Sequence, residues 1–137
     1  MPSFRIQDKI KRASGNFLDV HLKDILSAIG EPVLTSRWVG RDLWCVRKRD
    51  GVPEELRLDR LKFTGKEILE WSSKVGQIID GRFEARGQGA AKRPWLIIVA
   101  FDSSFYDVWS SKPNAIERIK ERYNDVSDIP NIIQNLK

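Results

Sequence analysis

The sequence predicts an α+β fold, in which residues 1–137 form one two-layer domain. We expect a mostly antiparallel sheet of about five or six strands, with about three main helices packed mainly on one face. The length of 137 residues suits one domain. Apolar residues recur at helical spacing in some segments and alternate in others. The strand-like segments follow one another through short turns, which favours antiparallel pairing over regular alternation with helices.

Two helices are predicted at the start of the chain. Residues 3–13 form a short one on a thin apolar stripe. Residues 17–29 form a stronger one, because their apolar positions follow the helical period and Asn16 can act as the N-cap. Gly30 and Pro32 end this helix, since glycine accepts a left-handed conformation and proline lacks an amide donor.

A β-hairpin is predicted after these helices. Residues 33–39 and 43–49 are rich in β-branched, aromatic or alternating side chains, and residues 40–42 join them. The Asp-Gly pair at 50–51 is a strong turn signal. Alternation over residues 56–58 indicates a third strand.

The clearest local signature is a capping box at Thr64. Its hydroxyl can accept a hydrogen bond from the amide of Glu67, while the Glu67 carboxylate reaches back to the Thr64 amide. The predicted helix runs on with an apolar side and closes at Gly81. The residues on that side are Ile68, Leu69, Val75, Ile78 and Ile79.

The second half of the chain is predicted to be mainly strand. Residues 95–101 are apolar at every position, which indicates a central strand covered on both faces or nearly so. Short alternating strands at 82–86 and 105–109 flank it. Pro113 favours the start of another helix, and the apolar residues of segment 128–136 suggest a final turn or two.

Composition restricts the class of protein. The chain is 41% hydrophobic and 31% charged, as folded globular proteins are. It has no apolar run of the roughly 20 residues that a membrane span requires, and no secretory signal is evident. Cys45 is the single cysteine, which excludes an internal disulfide and suits the cytoplasm. With one histidine as well, a Cys/His zinc site within one chain is excluded, and we expect neither a metal nor a cofactor.

The net charge of +5 is unevenly distributed. Basic residues concentrate in segments 1–15, 37–49 and 82–93, whereas segment 101–128 is slightly acidic. If the three basic segments meet in space, they would attract an anionic partner. The simpler interpretation is that dispersed lysines and arginines keep a small protein soluble.

Two patterns could carry catalysis. Cys45 and His21 could form a nucleophile and its base, although a cysteine within a strand is usually a small buried hydrophobe. Asp80, Glu84 and Arg86 loosely match the carboxylates and cation of metal-dependent nucleases. Their spacing is too short for that arrangement, and the alternation around Glu84 is typical of the exposed face of a strand.

Two turn-like segments have weaker catalytic interpretations. Segment 87–93 is glycine-rich, but a proline and a strand follow it instead of the helix that holds a bound phosphate, so a hairpin loop is favoured. A serine in Asp102-Ser103-Ser104 could be a nucleophile after a buried strand, yet no glycine flanks the segment. A turn explains it fully.

Basic residues interleaved with aromatic ones are the strongest functional signal. We expect a binding domain without catalytic activity that acts through a protein or other macromolecular partner. The alternatives are a nucleic-acid-binding domain, since such domains combine cations with stacking surfaces, and a small hydrolase or nuclease built around Glu84 or Cys45. The predicted contact residues are Arg37, Arg41, Trp44, Arg47, Lys48 and Arg49, joined by Lys92 and Arg93 for a nucleic acid. The sequence leaves oligomeric state and strand order open.

Overall fold

The computed structural model describes residues 1–89 and 93–130, and within them the chain forms nine strands and four helices. The strands are β1 (Ser3–Ile6), β2 (Lys9–Arg12), β3 (Gly15–Leu18), β4 (Arg37–Arg49), β5 (Val52–Thr64), β6 (Gln77–Arg86), β7 (Leu96–Phe101), β8 (Phe105–Ser110) and β9 (Val126–Ser127). The helices are α1 (Leu22–Ile29), α2 (Glu31–Leu34), α3 (Gly65–Lys74) and α4 (Pro113–Arg122).

Seven of the described strands form one sheet in the order β5-β4-β6-β7-β8-β1-β9, and each neighbouring pair is antiparallel. β2 and β3 form a separate two-stranded hairpin. The predicted α+β class and the mostly antiparallel sheet are confirmed. The expected five or six strands are wrong, because segments from both ends of the chain add β1 and β9 beside β8.

The helices and the sheet share one hydrophobic core. Buried residues of α1, α3 and α4 lie in it with strand residues such as Phe83 and Ile98, which are fully buried. Two tryptophans also belong to it, with their indole N–H groups satisfied: Trp38 donates to the carbonyl of Val33 at 3.0 Å, and Trp95 to the hydroxyl of Ser36 at 2.8 Å. Strand side chains alternate between faces, so the residues between the core positions form a second face, which we call the open face.

The predicted helix over residues 3–13 is wrong. β1 pairs with β8, with Phe4 opposite Val108 and Ile6 opposite Tyr106, and both Phe4 and Ile6 are buried. An apolar residue at every second position fits a strand, and this period-2 signal is too short to recognise without the partner strand. The next helix begins at Leu22 instead of residue 17, because residues 15–18 pair as β3.

The predicted hairpin around residues 40–42 is also wrong, because β4 continues through it as one strand of 13 residues. Asp42 has a positive φ of 50°, and the register of β4 against β6 shifts between Arg41 and Trp44. The strand bends there without reversing. The reversal occurs at Asp50 and Gly51, whose φ values of 53° and 77° give the left-handed pair of a tight hairpin turn. The sequence predicted that turn correctly.

The capping box at the start of α3 is confirmed. The Glu67 amide donates to the Thr64 hydroxyl at 3.2 Å, and the Thr64 amide donates to the Glu67 carboxylate at 2.8 Å. The predicted end at Gly81 is wrong, since α3 ends at Lys74 and β6 begins at Gln77. Ile78 and its neighbours therefore supply strand positions.

The apolar segment 95–101 contains β7, the fourth of the seven strands, so its central position is confirmed. Coverage of the second face is only partial. Ile98 is fully buried, whereas Ile97 and Val99 on the open face are only partly buried. The C-terminal half otherwise follows the prediction through α4, and the turn expected within 128–136 extends beyond the described residues. None of the described helices combines the length and the apolar composition that a membrane span requires.

Candidate functional site

Cationic side chains are concentrated on the open face. Arginines from β4 and β6 stand beside one another across the strand boundary, and β5 adds further cations on the outer side. The alternation of each strand and its register with its neighbour assign these side chains to the same face. They are Arg5, Arg37, Arg41, Arg57, Arg60, Lys62, Arg82 and Arg86.

Glu84 lies at the centre of this cluster and is 5% exposed. Its carboxylate accepts hydrogen bonds from Arg82 Nε at 2.7 Å, Arg86 Nη1 at 3.0 Å and Arg41 Nε at 3.4 Å. Burial alone would raise the pKa of Glu84, but the hydrogen bonds from Arg82 and Arg86 and the nearby charges outweigh it and hold the pKa below its usual range. One carboxylate thus faces three guanidinium groups, which leaves an excess of positive charge.

Like charges face each other directly across the strands. Arg37 is opposite Arg86, Arg41 is opposite Arg82, and on its other side Arg41 is opposite Arg60. Like charges in directly opposed positions destabilise a sheet. Glu84 offsets part of this repulsion through its hydrogen bonds with Arg41, Arg82 and Arg86.

A shallow groove of about 610 Å³ runs over β5, β4 and β6. Its lining includes five cations and one carboxylate, that of Glu67. Glu67 is already engaged in the capping box with Thr64. The cations are Arg37, Arg41, Arg60, Lys62 and Arg86. The groove therefore presents a strongly positive surface.

Aromatic rings lie on the same face, towards β7 and β8. Phe101 and Phe105 stack with their centroids 5.0 Å apart, and Phe101 is 53% exposed. The Arg5 guanidinium lies 3.6 Å from the Phe105 centroid and forms a two-point ion pair with Asp107, at 2.7 and 3.0 Å. Trp109 is partly buried beside them, directly opposite Ile97.

Trp44 adds an unsatisfied donor. Arg57 covers its ring at 4.1 Å. The indole Nε1 is sealed from solvent and has no hydrogen-bond partner within the described part of the chain. Buried polar groups are normally paired, so this N–H is an exception on the open face.

The predicted contact residues fall in different places. Arg37, Arg41 and Trp44 belong to the open face. Arg47 and Lys48 line a separate cleft on the helical side. Arg49 borders the tip of the β4–β5 hairpin, Arg93 is exposed shortly before β7, and Lys92 lies outside the described residues.

Part of the cluster was not predicted from the sequence. The predicted basic segments 37–49 and 82–93 do meet where β4 pairs with β6. The cations of β5 were overlooked because Glu54 and Glu55 precede them and dilute the local charge. The available signal was the alternation within β5, which breaks once at Asp59 and Arg60 and on either side of that break places the cations on the face opposite the leucines. The missed cations are Arg57, Arg60 and Lys62.

The candidate catalytic groups have structural roles. Cys45 is fully buried, and burial raises the pKa of its thiol although the charge of Arg47 opposes this. A protonated, inaccessible thiol is a poor nucleophile. His21 stands 3.7 Å from Asp19. Asp80 accepts the backbone N–H of Asp102 at 2.8 Å.

The segment 102–104 is a turn, as predicted. Asp102 and Ser103 both have positive φ, at 49° and 55°. The hydroxyl of Ser103 accepts a hydrogen bond from Gln77 at 2.8 Å. Gln88 in the glycine-rich loop donates to the carbonyl of Thr35 at 3.0 Å.

Comparisons with protein-family models, with curated proteins and with solved structures found no match to this chain. Among residues 1–89 and 93–130, no group of three or more His, Cys, Asp or Glu side chains could hold a metal ion. The function is therefore inferred from the open face itself.

Proposed function

We propose that this chain is a binding domain without catalytic activity, and that its open face binds single-stranded nucleic acid. The observation that carries the proposal is the positive groove over β5, β4 and β6, which is lined by five cations and by one carboxylate, that of Glu67 in the capping box. The protein partner expected from the sequence stays a prediction.

A flexible anionic strand fits this face better than a duplex. Proteins that bind single strands combine a cationic groove that follows the phosphates with rings on which bases stack. Here the groove lies over β5, β4 and β6, and the exposed Phe101, stacked on Phe105, lies further along the same face. A duplex keeps its bases paired and stacked on one another, so these rings would find no partner.

The direct test is fluorescence anisotropy with a labelled 20-nucleotide deoxythymidine strand, titrated at several salt concentrations. We expect the logarithm of the binding constant to fall linearly with the logarithm of salt concentration, by about 0.7 for each phosphate contacted. The matching duplex should bind more weakly. Affinity that is independent of salt would contradict the proposal.

Matched double variants locate the binding surface. Arg60→Ala with Lys62→Ala removes two groove cations that have no ion pair within the described residues, and we expect the salt slope to decrease by about 1 to 1.5. The control is Lys120→Ala with Arg122→Ala, which removes the same charge from exposed positions on α4. Equal losses in both double variants would show non-specific attraction and contradict a site on the open face.

Stacking is tested separately. Phe101→Ala removes an exposed ring, and we expect it to weaken binding by about 1–3 kcal/mol at any salt concentration while leaving the salt slope unchanged. Val52→Ala, which removes another exposed apolar side chain at the hairpin tip, is the control and should bind like the unmodified protein.

A further inference from the structure

A second recess lies on the helical side of the sheet, away from the open face. It is a cleft of about 470 Å³, bounded by the first turn of α1, the end of α3 and the part of β4 that leads to the hairpin. Small-molecule sites commonly have this volume. Val46, Pro53, Val75 and Ile78 give it apolar walls.

The charged groups that line the cleft are all basic. Lys23, Lys48 and Lys74 line it with Arg47 and His21, and no Asp or Glu does. Arg47 donates to Glu54 at 3.2 Å, and His21 stands 3.7 Å from Asp19, so acids contact two of the lining residues from outside. The three lysines make no ion pair within the described part of the chain.

The first turn of α1 lines this cleft through Leu22 and Lys23. His21 precedes the helix without capping it through its side chain. The amides of Asp24 and Ile25 both donate to the His21 carbonyl, at 3.0 and 3.2 Å. The amides of Leu22 and Lys23 have no acceptor within the helix. Unpaired amides at a helix N-terminus favour an anion.

Tyr106 supplies independent evidence for a ligand. Its side chain is 2% exposed and lines the cleft. Its hydroxyl has no hydrogen-bond partner within residues 1–89 and 93–130. The hydroxyl of Tyr123 is sealed from solvent, whereas that of Tyr106 is not. The hydroxyl therefore reaches the cleft. Burial raises the pKa of Tyr106, and Tyr123 and Cys45 add to the effect, so the hydroxyl keeps its proton and can donate.

We propose that this cleft binds a small phosphate monoester of the size of a mononucleotide. The phosphate would accept hydrogen bonds from the Leu22 and Lys23 amides and from the Tyr106 hydroxyl, with the lysines neutralising its charge. The organic part would pack on the apolar walls. This site is independent of nucleic-acid binding by the open face.

The test is an NMR titration of the full chain, which follows the backbone amides as adenosine monophosphate is added. We expect saturable shifts at Leu22, Lys23 and Gln77, smaller shifts at the same amides with inorganic phosphate, and none with adenosine. Shifts confined to open-face amides, or shifts that do not saturate, would overturn the proposal.

A pair of tyrosine variants separates binding from folding. Tyr106→Phe removes the donor to the ligand, and we expect the dissociation constant for adenosine monophosphate to rise about tenfold with unfolding stability unchanged. Tyr123→Phe removes a buried hydroxyl that does not line the cleft and should bind normally. Normal binding by Tyr106→Phe would overturn the proposal.

Charge variants distinguish the two sites. Lys23→Ala with Lys74→Ala should weaken adenosine monophosphate binding at least tenfold, whereas Arg60→Ala with Lys62→Ala should leave it unchanged. If the open face fails to bind an oligonucleotide while the cleft still binds the monophosphate, only the proposal for the open face fails. If the open face binds the oligonucleotide while the cleft does not bind the monophosphate, only the proposal for the cleft fails.

Discussion

Glu84 shows how one residue organises the open face. Its carboxylate is shared by Arg41, Arg82 and Arg86, which would otherwise repel one another across β4 and β6. Hydrogen bonds to a charged group are stronger than those between neutral groups. Glu84 therefore stabilises the sheet and sets the positions of the arginines that a ligand would meet.

Glu84→Gln should lower the free energy of unfolding by about 2 kcal/mol at pH 7. The pKa of Glu84 is depressed in the folded state, so its contribution is complete above the unfolded pKa of about 4.3 and is lost as pH falls through the folded pKa. The difference between the unmodified and variant proteins should therefore shrink below about pH 4. Urea unfolding at a series of pH values measures it.

The control for this prediction is Glu55→Gln, which neutralises an exposed carboxylate on β5. It should change stability by less than about 0.5 kcal/mol at pH 7. If the free energies of unfolding of Glu84→Gln and the unmodified protein differ by the same amount from neutral to acidic pH, the ionised carboxylate does not cause the stabilisation.

Cys45 should behave as a core residue. Because its side chain is fully buried and its pKa is raised, a thiol reagent at pH 8 should label the native protein only through opening of the fold. The labelling rate should rise with urea through the unfolding transition. Rapid labelling of the native protein would show an accessible thiol and reopen the question of a reactive cysteine.

At the scale of elements, the features that were predicted correctly from the sequence are local ones. The capping box of α3 and the turn at Asp50 and Gly51 depend on residues a few positions apart, and both are present. The wrong predictions concern short segments that are compatible with two structures, a helix or a strand at residues 3–6 and a turn or a continuous strand at Asp42. Residues 3–6 become a strand because β8 is available to pair with them, and Asp42 bends β4 because β5 and β6 continue on either side.

Gly65, the first residue of α3, is fixed by a close approach to α2. A Cβ atom at Gly65 would stand 2.3 Å from the carbonyl oxygen of Val33 and 2.4 Å from Cα of Leu34. Both are backbone atoms that cannot rotate away. Gly65→Ala should therefore lower the free energy of unfolding by about 2–3 kcal/mol, measured as a lower urea midpoint.

Gly76 is the matched position for this experiment. A Cβ atom there would stand 3.4 Å from the carbonyl oxygen of Val46, and the residue does not require a left-handed conformation. Gly76→Ala should be tolerated with a change below about 1 kcal/mol. Similar losses at both glycines would mean that contact between α2 and α3 does not explain the effect.

At the scale of the whole molecule, the sheet depends on contacts between distant parts of the chain. The Arg5–Asp107 ion pair joins residues 102 positions apart. No local pattern reveals such a pairing, which explains why the fold class could be predicted and the strand number and order could not. It also explains the candidate site: its cations are scattered in sequence and become neighbours only when β5, β4 and β6 assemble.

Binding to the assembled sheet should stabilise the entire fold. The open face exists only in the folded state, so an oligonucleotide at about 100 times its dissociation constant should add about 2.7 kcal/mol to the free energy of unfolding. The gain should decrease as salt is raised, because affinity decreases. Thermal unfolding with and without the strand measures it, and a midpoint unaffected at low salt would contradict binding to the native protein.

β5 has one further consequence for how this protein behaves at high concentration. It is one of the two edge strands of the sheet, and within residues 1–89 and 93–130 no strand pairs with the outer side of its 13 residues. Pro53, near the start of β5, has no backbone N–H to donate. Side chains of both charges follow along the strand. Exposed edge strands of this kind can pair with other copies of the chain and form fibres, unless charged residues and proline disfavour the pairing. The same charges that dilute the basic pattern in the sequence therefore help to keep each copy separate.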